Sequence, residues 1–309
     1  MRVFIGQDPS PRIAAALAAD GAEIVDDLGA AEALVYTTGF PDSPDGSGLP
    51  ALPEAVRWVQ FCQAGVEPFA ARIAAEPERC WTNAAGAFGL QVAESALALL
   101  LSVLHMHPTT VRAGSWSAQP AMDAGTRWLD GARVLVLGAG GIGSRLIPAL
   151  RALGAEAIAV TRSGREVPGA RRSAAFADLG GLWAEADHLV VCCPLTEETR
   201  GLVDAAALAR LRPGAVVVNV ARGPVVDTAA LVDALASGRL GGAGLDVTDP
   251  EPLPDGHPLW AMPNVLITPH TANTRASTDA LLAPLVAENH RRLRDGREPL
   301  TGVRPGRGY

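Results

Sequence analysis

The chain has 309 residues and a formal charge of −7, with 48% hydrophobic and 19% charged residues. That length suits two domains with full hydrophobic cores. The acidic balance excludes a phosphate-backbone binder, which needs clustered Lys and Arg, so no nucleic-acid partner is expected. A small anionic substrate needs only one or two placed cations and stays open.

In chain order, "RVFIG", "AEIVD", "EALVYTT" and "VRWVQFCQAG" read as strands, with a helix from Pro11 to Asp20 between the first two. The Pro/Gly/Ser/Asp-rich stretch Phe40 to Pro53 reads as a loop. A long helical pattern runs from near Gln91 to about His105, with Glu94 in its first turn at the positive end of the helix dipole. After "RAGSW" and a linker comes "ARVLVLGAGGIGSRLIPALRALGAEAIAVT", which reads as buried strand, glycine turn, helix and second buried strand. Pro148 conflicts with that helix, where a proline should cost about 3 kcal/mol or force a kink. Further strands follow at "HLVVCC", "AVVVNVA", "GAGLDV" and "NVLITPH", and "STDALLAPLVAENHRRLRDG" reads as a C-terminal helix. Strands alternating with helices predict an α/β protein with parallel sheets.

Several function classes recede on residue usage. Cys62, Cys80, Cys192 and Cys193 form no C-x-x-C pair, so reduced, buried thiols are expected. His105 and His107 form an H-x-H pair without nearby Cys or Asp ligands, and no metal is expected. Asp187 and His188 read as a helix-end or turn pair. The N-terminus carries no signal-peptide apolar region, and the run Ala96 to Leu104 is far short of a membrane span. A cytoplasmic protein with no membrane partner is expected.

The glycine turn is the first chemical signal. Gly138, Gly140 and Gly143, with Gly141 and Ile142 between them, give G-x-G-x-x-G. The first glycine permits the tight turn, the second lets backbone approach a pyrophosphate, and the third allows close helix–strand packing. Backbone N–H groups at the helix N-terminus face the phosphate charge. Between strand and helix this spacing points to a dinucleotide.

Downstream, "CCPLTEETRGLVD", "GAVVVNVARGPVVDTAALVDAL", "GGAGLDVTDPEPLP" and "HPLWAMPNVLITPH" occur in this order. With them the chain resembles the D-2-hydroxyacid dehydrogenase family from about Gln63 to its end; "QAGVEPF" and "TNAAG…QVAE" match more weakly. The resemblance implies two doubly wound domains, a Rossmann nucleotide-binding domain (residues 90–272) inserted into a flavodoxin-like substrate domain (1–89 plus 273–309). It implies that Arg222 grips the carboxylate and carbonyl of a 2-oxo acid, a task that suits a planar guanidinium. His270 is expected to donate a proton to the carbonyl oxygen. Glu251 is expected to hydrogen-bond His270 and raise its pKa towards working pH. Asp246 falls near the nicotinamide carboxamide, and Pro194, Thr199, Val220 and Ala221 fall along the cofactor. The "AGVE" turn, with Ala64 and Gly65, matches a loop whose N–H groups bind the substrate carboxylate. His105 departs from the family, where many members have arginine. The chain stops about 40 residues after His270, which disfavours the long phosphoglycerate dehydrogenases. A homodimer is expected.

Cofactor choice rests on "AVTRSGR". An acid at the end of the second strand would bond both ribose hydroxyls and repel a 2′-phosphate. Thr161 stands there, and Arg162, Ser163 and Arg165 follow. NADP(H) is therefore the preferred cofactor, with NAD(H) as the alternative. The stretches "TRSGREVPGA" and "GREPLTGVRPGRGY" resemble the glyoxylate/hydroxypyruvate reductase branch, so reduction of a small 2-oxo acid is expected. The alternatives are an NAD-dependent D-2-hydroxyacid or 3-phosphoglycerate-type dehydrogenase, formate or phosphite oxidation, and a non-catalytic NAD(P)H sensor.

Overall fold

The computed structural model describes residues 1–37 and 48–304. The first part of the loop expected from Phe40 to Pro53, and the end of the stretch "GREPLTGVRPGRGY", lie outside the described residues. The chain begins β1 (Arg2–Ile5), α1 (Pro11–Ala19), β2 (Glu23–Val25), β3 (Ala33–Tyr36), β4 (Trp58–Phe61), α2 (Ala70–Ala75) and β5 (Cys80–Thr82). It continues α3 (Gly89–Leu104), α4 (His107–Ala113), α5 (Gln119–Gly125), β6 (Arg133–Leu137), α6 (Gly143–Ala152), β7 (Glu156–Thr161) and β8 (Arg172–Ala175). Then follow α7 (Leu179–Leu182), β9 (His188–Val191), α8 (Ala205–Arg210), β10 (Ala215–Asn219), α9 (Thr228–Ala236), β11 (Leu240–Leu245), α10 (Pro258–Ala261), β12 (Val265–Ile267) and α11 (Arg275–Arg294).

Two compact units result, one made of Met1–Phe88 with Thr274–Tyr309, the other of Gly89–Asn273. In the first, five parallel strands run in the order β2-β1-β3-β4-β5, the flavodoxin-like winding. Residues of β3 alternate between its faces. Ala33 and Val35 pack with Ile13, Leu17 and the α11 residues Leu282 and Val286 on one side. Leu34 and Tyr36 pack with Phe61, Phe69 and Trp81 on the other. Ser10 caps α1 by accepting from the Ile13 N–H at 3.2 Å, and Pro11 occupies the first turn, where no N–H is needed.

The second unit holds seven parallel strands in the order β12-β11-β10-β9-β6-β7-β8, a Rossmann sheet with one more strand at its edge. Strands β9 and β10 are buried along their whole length, as parallel strands covered on both faces must be. Helix α3 packs on α6, β10 and β11.

Local expectations shift in four places. Helix α3 begins at Gly89, so Glu94 lies beyond the first turn and away from its free N–H groups. The expected linker after "RAGSW" contains α5, and α4 stands before it, directly after the long helix. His188 opens β9, so it is a strand residue and not half of a helix-end or turn pair with Asp187. Pro148 sits inside α6 at an exposed position, and its nitrogen, having no hydrogen, cannot bond the Ser144 carbonyl. Among the described residues no single helix is long and apolar enough to cross a membrane.

Candidate active site

The candidate residues of the second unit gather at the carboxyl ends of its strands, the edge where open α/β sheets bind ligands. The glycine turn leaves β6 there. Gly138 has φ +93, and a Cβ on it would lie 2.5 Å from the Cys193 backbone at the end of β9. A Cβ on Gly143 would lie 2.6 Å from the Gly138 carbonyl oxygen, so α6 starts hard against the strand it leaves. Beside Gly140, by contrast, nothing lies within 4 Å of a built Cβ. Helix α6 opens at Ile142 without a side-chain cap, and its Ser144 and Arg145 N–H groups bond the Gly140 and Ile142 carbonyls, so an anion is left to the N–H groups of the glycine turn just before them. At the end of β7 the Thr161 hydroxyl is buried without a hydrogen-bond partner. An open cradle, an uncapped helix start and an orphaned hydroxyl at the ribose edge fit a dinucleotide.

The ends of β10, β11 and β12 carry the reactive side chains. Register pairs Asn219 with Leu245 and Leu245 with Ile267, so the residues just beyond them emerge side by side. Arg222 is three residues past Asn219, in a turn that the Asn219 side chain closes. Asn219 Nδ2 donates to the Arg222 carbonyl at 3.0 Å, and its Oδ1 accepts from the Ala221 N–H at 3.0 Å. A Cβ on Gly223 would overlap the Thr248 carbonyl at 1.8 Å, so the Arg222 turn lies directly against the segment leading to Glu251. Thr228 Oγ1 ties the same two segments by donating to the Asp249 carbonyl at 2.8 Å.

His270 adopts a left-handed conformation, φ +52, which is uncommon for residues other than glycine, although Asn, Asp and His enter it more often than most. The Asp246 carboxylate, 2% exposed, holds that conformation. Its Oδ1 accepts from Thr268 Oγ1 at 2.6 Å and from the N–H groups of Thr271 and Ala272 at 2.8 and 3.0 Å. The His270 N–H donates to the Asp246 backbone carbonyl at 2.8 Å. His270 Nδ1 then lies 2.6 Å from Glu251 Oε1, with the two side chains 50% and 41% exposed. One ring nitrogen is thus engaged by a carboxylate while the pair stays open to a ligand, the arrangement a general acid requires.

A family model for the NAD binding domain of the D-isomer specific 2-hydroxyacid dehydrogenases matches residues 92–272. The chain belongs to this family. It is an oxidoreductase of the NAD(P)-dependent D-2-hydroxyacid dehydrogenase type, and its similarity extends beyond the matched domain. An uncharacterized Corynebacterium melassecola protein, described by its place in the proB 3′ region, is 43% identical over 290 residues, 94% of this chain and 93% of that one. A glyoxylate reductase of Aeropyrum pernix is 35% identical over 226 residues, 71% of this chain and 67% of that protein. A crystal structure of a D-isomer specific 2-hydroxyacid dehydrogenase from Xanthobacter autotrophicus Py2, in complex with NADPH and MES, superposes with a TM-score of 0.80 at 32% identity. It covers 100% of this chain and 99% of that one.

The other expected residues of this dehydrogenase take several positions. Arg162 and Ser163 are exposed in the turn after β7. Arg165 reaches back across the edge, its Nη2 donating to the Ala139 carbonyl in the glycine turn at 3.0 Å. Thr199 is turned inward: its hydroxyl donates to the Pro194 carbonyl at 2.6 Å and accepts from the Thr196 N–H at 2.8 Å, closing the loop after β9. Val220 and Ala221 are buried where β10 ends. Asp187 pairs with Arg212 at 3.0 Å and accepts from the Arg133 N–H at 2.8 Å, a structural role. In the first unit Ala64 and Gly65 lie in the loop after β4, and the Ala64 carbonyl accepts from Asn83 Nδ2 at 2.7 Å. Asn219 and Thr228 were not among the expected site residues. Only their place beside "VARG" could have drawn attention to them, since their roles depend on burial and on partners from other strands.

Proposed function

We propose that the chain reduces the C2 carbonyl of a small, glyoxylate- or hydroxypyruvate-like 2-oxo acid to the D-2-hydroxy acid, with NADPH as preferred cofactor. The observation that carries this reading is the His270–Glu251 pair on the same sheet edge as Arg222 and the glycine turn. The glyoxylate reductase name of the Aeropyrum relative and the NADPH in the Xanthobacter structure support it.

Gly138, Gly140 and Gly143 with the start of α6 would hold the pyrophosphate, and Thr161, Arg162, Ser163 and Arg165 the adenosine end. Bound there, NADPH supplies the hydride that reaches C2. Arg222 holds the substrate carboxylate and keeps the carbonyl in line. His270 delivers a proton to the carbonyl oxygen, which leaves the alcohol. Glu251 fixes the ring through Nδ1, so Nε2 is the nitrogen that faces substrate, and it stabilises the imidazolium before transfer. At the ribose edge a carboxylate would repel a 2′-phosphate, whereas a buried neutral hydroxyl followed by cations attracts it. Val111, Trp116 and Trp128 are exposed apolar residues in the region of α4 and α5, and they support the homodimer of the same reading.

The test is a panel of 2-oxo acids assayed with NADPH and with NADH. We expect kcat/KM to favour NADPH by about tenfold or more, and Arg162→Ala to erase most of that ratio. NADH performing as well as NADPH would sink the cofactor choice. His270→Ala should lower kcat by roughly 10²-fold or more; a variant with full activity would remove His270 from the chemistry. A non-catalytic sensor would show no turnover with any acid while still binding nucleotide.

A further inference from the structure

Within the first unit, the loop after β4 has its carbonyl groups anchored to the end of β5. Asn83, one residue past that strand and 1% exposed, donates from Nδ2 to the Ala64 carbonyl at 2.7 Å. Beside it the Ala84 N–H donates to the Gln63 carbonyl at 3.0 Å. In a trans peptide the C=O and the following N–H point in opposite directions. Two anchored carbonyls therefore turn the N–H groups of Ala64 and Gly65 away from β5, as a pair of successive donors suited to a carboxylate.

Asn83 is itself held on every side. Its Oδ1 accepts from the Ala85 N–H at 3.1 Å. Its backbone carbonyl accepts from Gln60 Nε2 at 3.0 Å and from Thr301 Oγ1 at 2.7 Å. The Gln60 amide is fully used as well: Nε2 also donates to the Phe61 carbonyl at 2.8 Å, while Oε1 accepts from Thr82 Oγ1 and Asn289 Nδ2, each at 2.8 Å. Asn289 bonds onward to Thr301 Oγ1 at 2.9 Å. Gln60, Thr82 and Asn289 are completely buried. Burying that many amide and hydroxyl groups is unfavourable unless every bond is made, and an apolar set would fill a sheet end more simply. What the polar set adds is direction, because a completed network fixes an amide in one orientation.

We propose that Asn83 is a positioning residue that aims the Ala64 and Gly65 N–H groups at the substrate carboxylate, with Thr301 near the chain's end as its strut. The role rests on the reading of this loop as the carboxylate site. Asn83→Ala deletes the side-chain bonds to the Ala64 carbonyl and to the Ala85 N–H and leaves the backbone bonds of residue 83 in place. The KM for the best 2-oxo acid should rise about tenfold, while kcat and the NADPH Kd stay within about twofold, the signature of lost ground-state binding. An unchanged KM in a folded variant overturns the role. So does an equal loss of NADPH affinity, which would mark general loosening. Should Asn83→Ala fail to fold by circular dichroism, Thr301→Val decides instead: a KM raised roughly two- to fivefold alone supports the strut, and an unmoved KM overturns it. A wild-type chain inert towards every 2-oxo acid defeats the proposed reaction and this role together. An active wild type with an unaltered Asn83→Ala defeats only the role.

Discussion

In the second unit, backbone N–H groups reach the ligand edge because side chains are missing there: glycines bring β6, β9 and α6 together, and α6 opens without a cap. In the first unit the loop after β4 is turned by side chains that are present, through the buried amides of Gln60, Asn83 and Asn289. Both devices present donors at the carboxyl end of a parallel sheet, but they should fail differently. A steric device breaks abruptly, since an added Cβ has nowhere to go. A hydrogen-bonded device weakens in steps of about 1 kcal/mol per bond.

The largest effect should come from the glycine turn, and it should depend on which glycine is changed. Gly138→Ala places a Cβ 2.5 Å from the Cys193 backbone at φ +93, so β6 and β9 must separate. A loss of about 3–5 kcal/mol in urea denaturation, or failure to fold, is expected. Gly140→Ala meets nothing within 4 Å, so apo stability should change by less than about 1 kcal/mol. Its NADPH affinity should still fall about tenfold or more, because the methyl group enters the space a pyrophosphate needs. Equal stability of the two variants would break the steric account, and full NADPH affinity in Gly140→Ala would remove the turn from the phosphate site.

This contrast also separates what the sequence makes legible from what it hides. The glycine turn is legible because Gly138 and Gly143 are forced by close backbone contacts, and with Gly140 they keep a spacing that recurs where a strand turns into a helix over a phosphate. Strands β6, β7, β9 and β10 are legible because both faces are buried and apolar residues, Val above all, fill most of their positions. Strand β8, with the residues Arg172–Ala175, lacks that composition, and β5 spans only Cys80–Thr82. Helices α4 and α5 hide behind Pro108, Gly114 and Pro120, residues that break a helical pattern; the two prolines occupy first turns and Gly114 ends α4. His270 and Glu251 are legible only by resemblance. The left-handed backbone of His270 and the staple from Asp246 have no local signature, because donors and acceptor come from different strands. Asn219 and Asn83 are ordinary amides until burial makes their bonds obligatory.

The smallest effect concerns two histidines that the units bury in opposite ways. In the second unit, burial and the Arg127 charge push the His188 pKa down to about 4, with Asp187 opposing. His188 Nδ1 accepts from the Val216 N–H at 3.2 Å, a bond that only the neutral ring makes. In the first unit, His290 Nδ1 lies 2.6 Å from Asp20 Oδ2. Burial raises the Asp20 pKa, but hydrogen bonds from His290 and Arg291 and the Arg294 charge outweigh it and hold the carboxyl below its usual value. The signs agree and the windows differ. His188 binds fewer protons folded than unfolded, so its stability is intact above about pH 6.5 and is lost as pH falls towards 4. The Asp20 contribution is intact above the ordinary carboxyl value of 3.8 and is lost only below it. Acidification from pH 7 to 5 should therefore weaken the second unit alone, by about 2 kcal/mol. Hydrogen exchange should speed up in β9 and β10 before β1 and β3. His188→Asn offers an acceptor near the Nδ1 position without a titrating ring, and it should flatten the decline between pH 7 and 5. An unchanged slope in that variant would place the acid sensitivity elsewhere in the sheet.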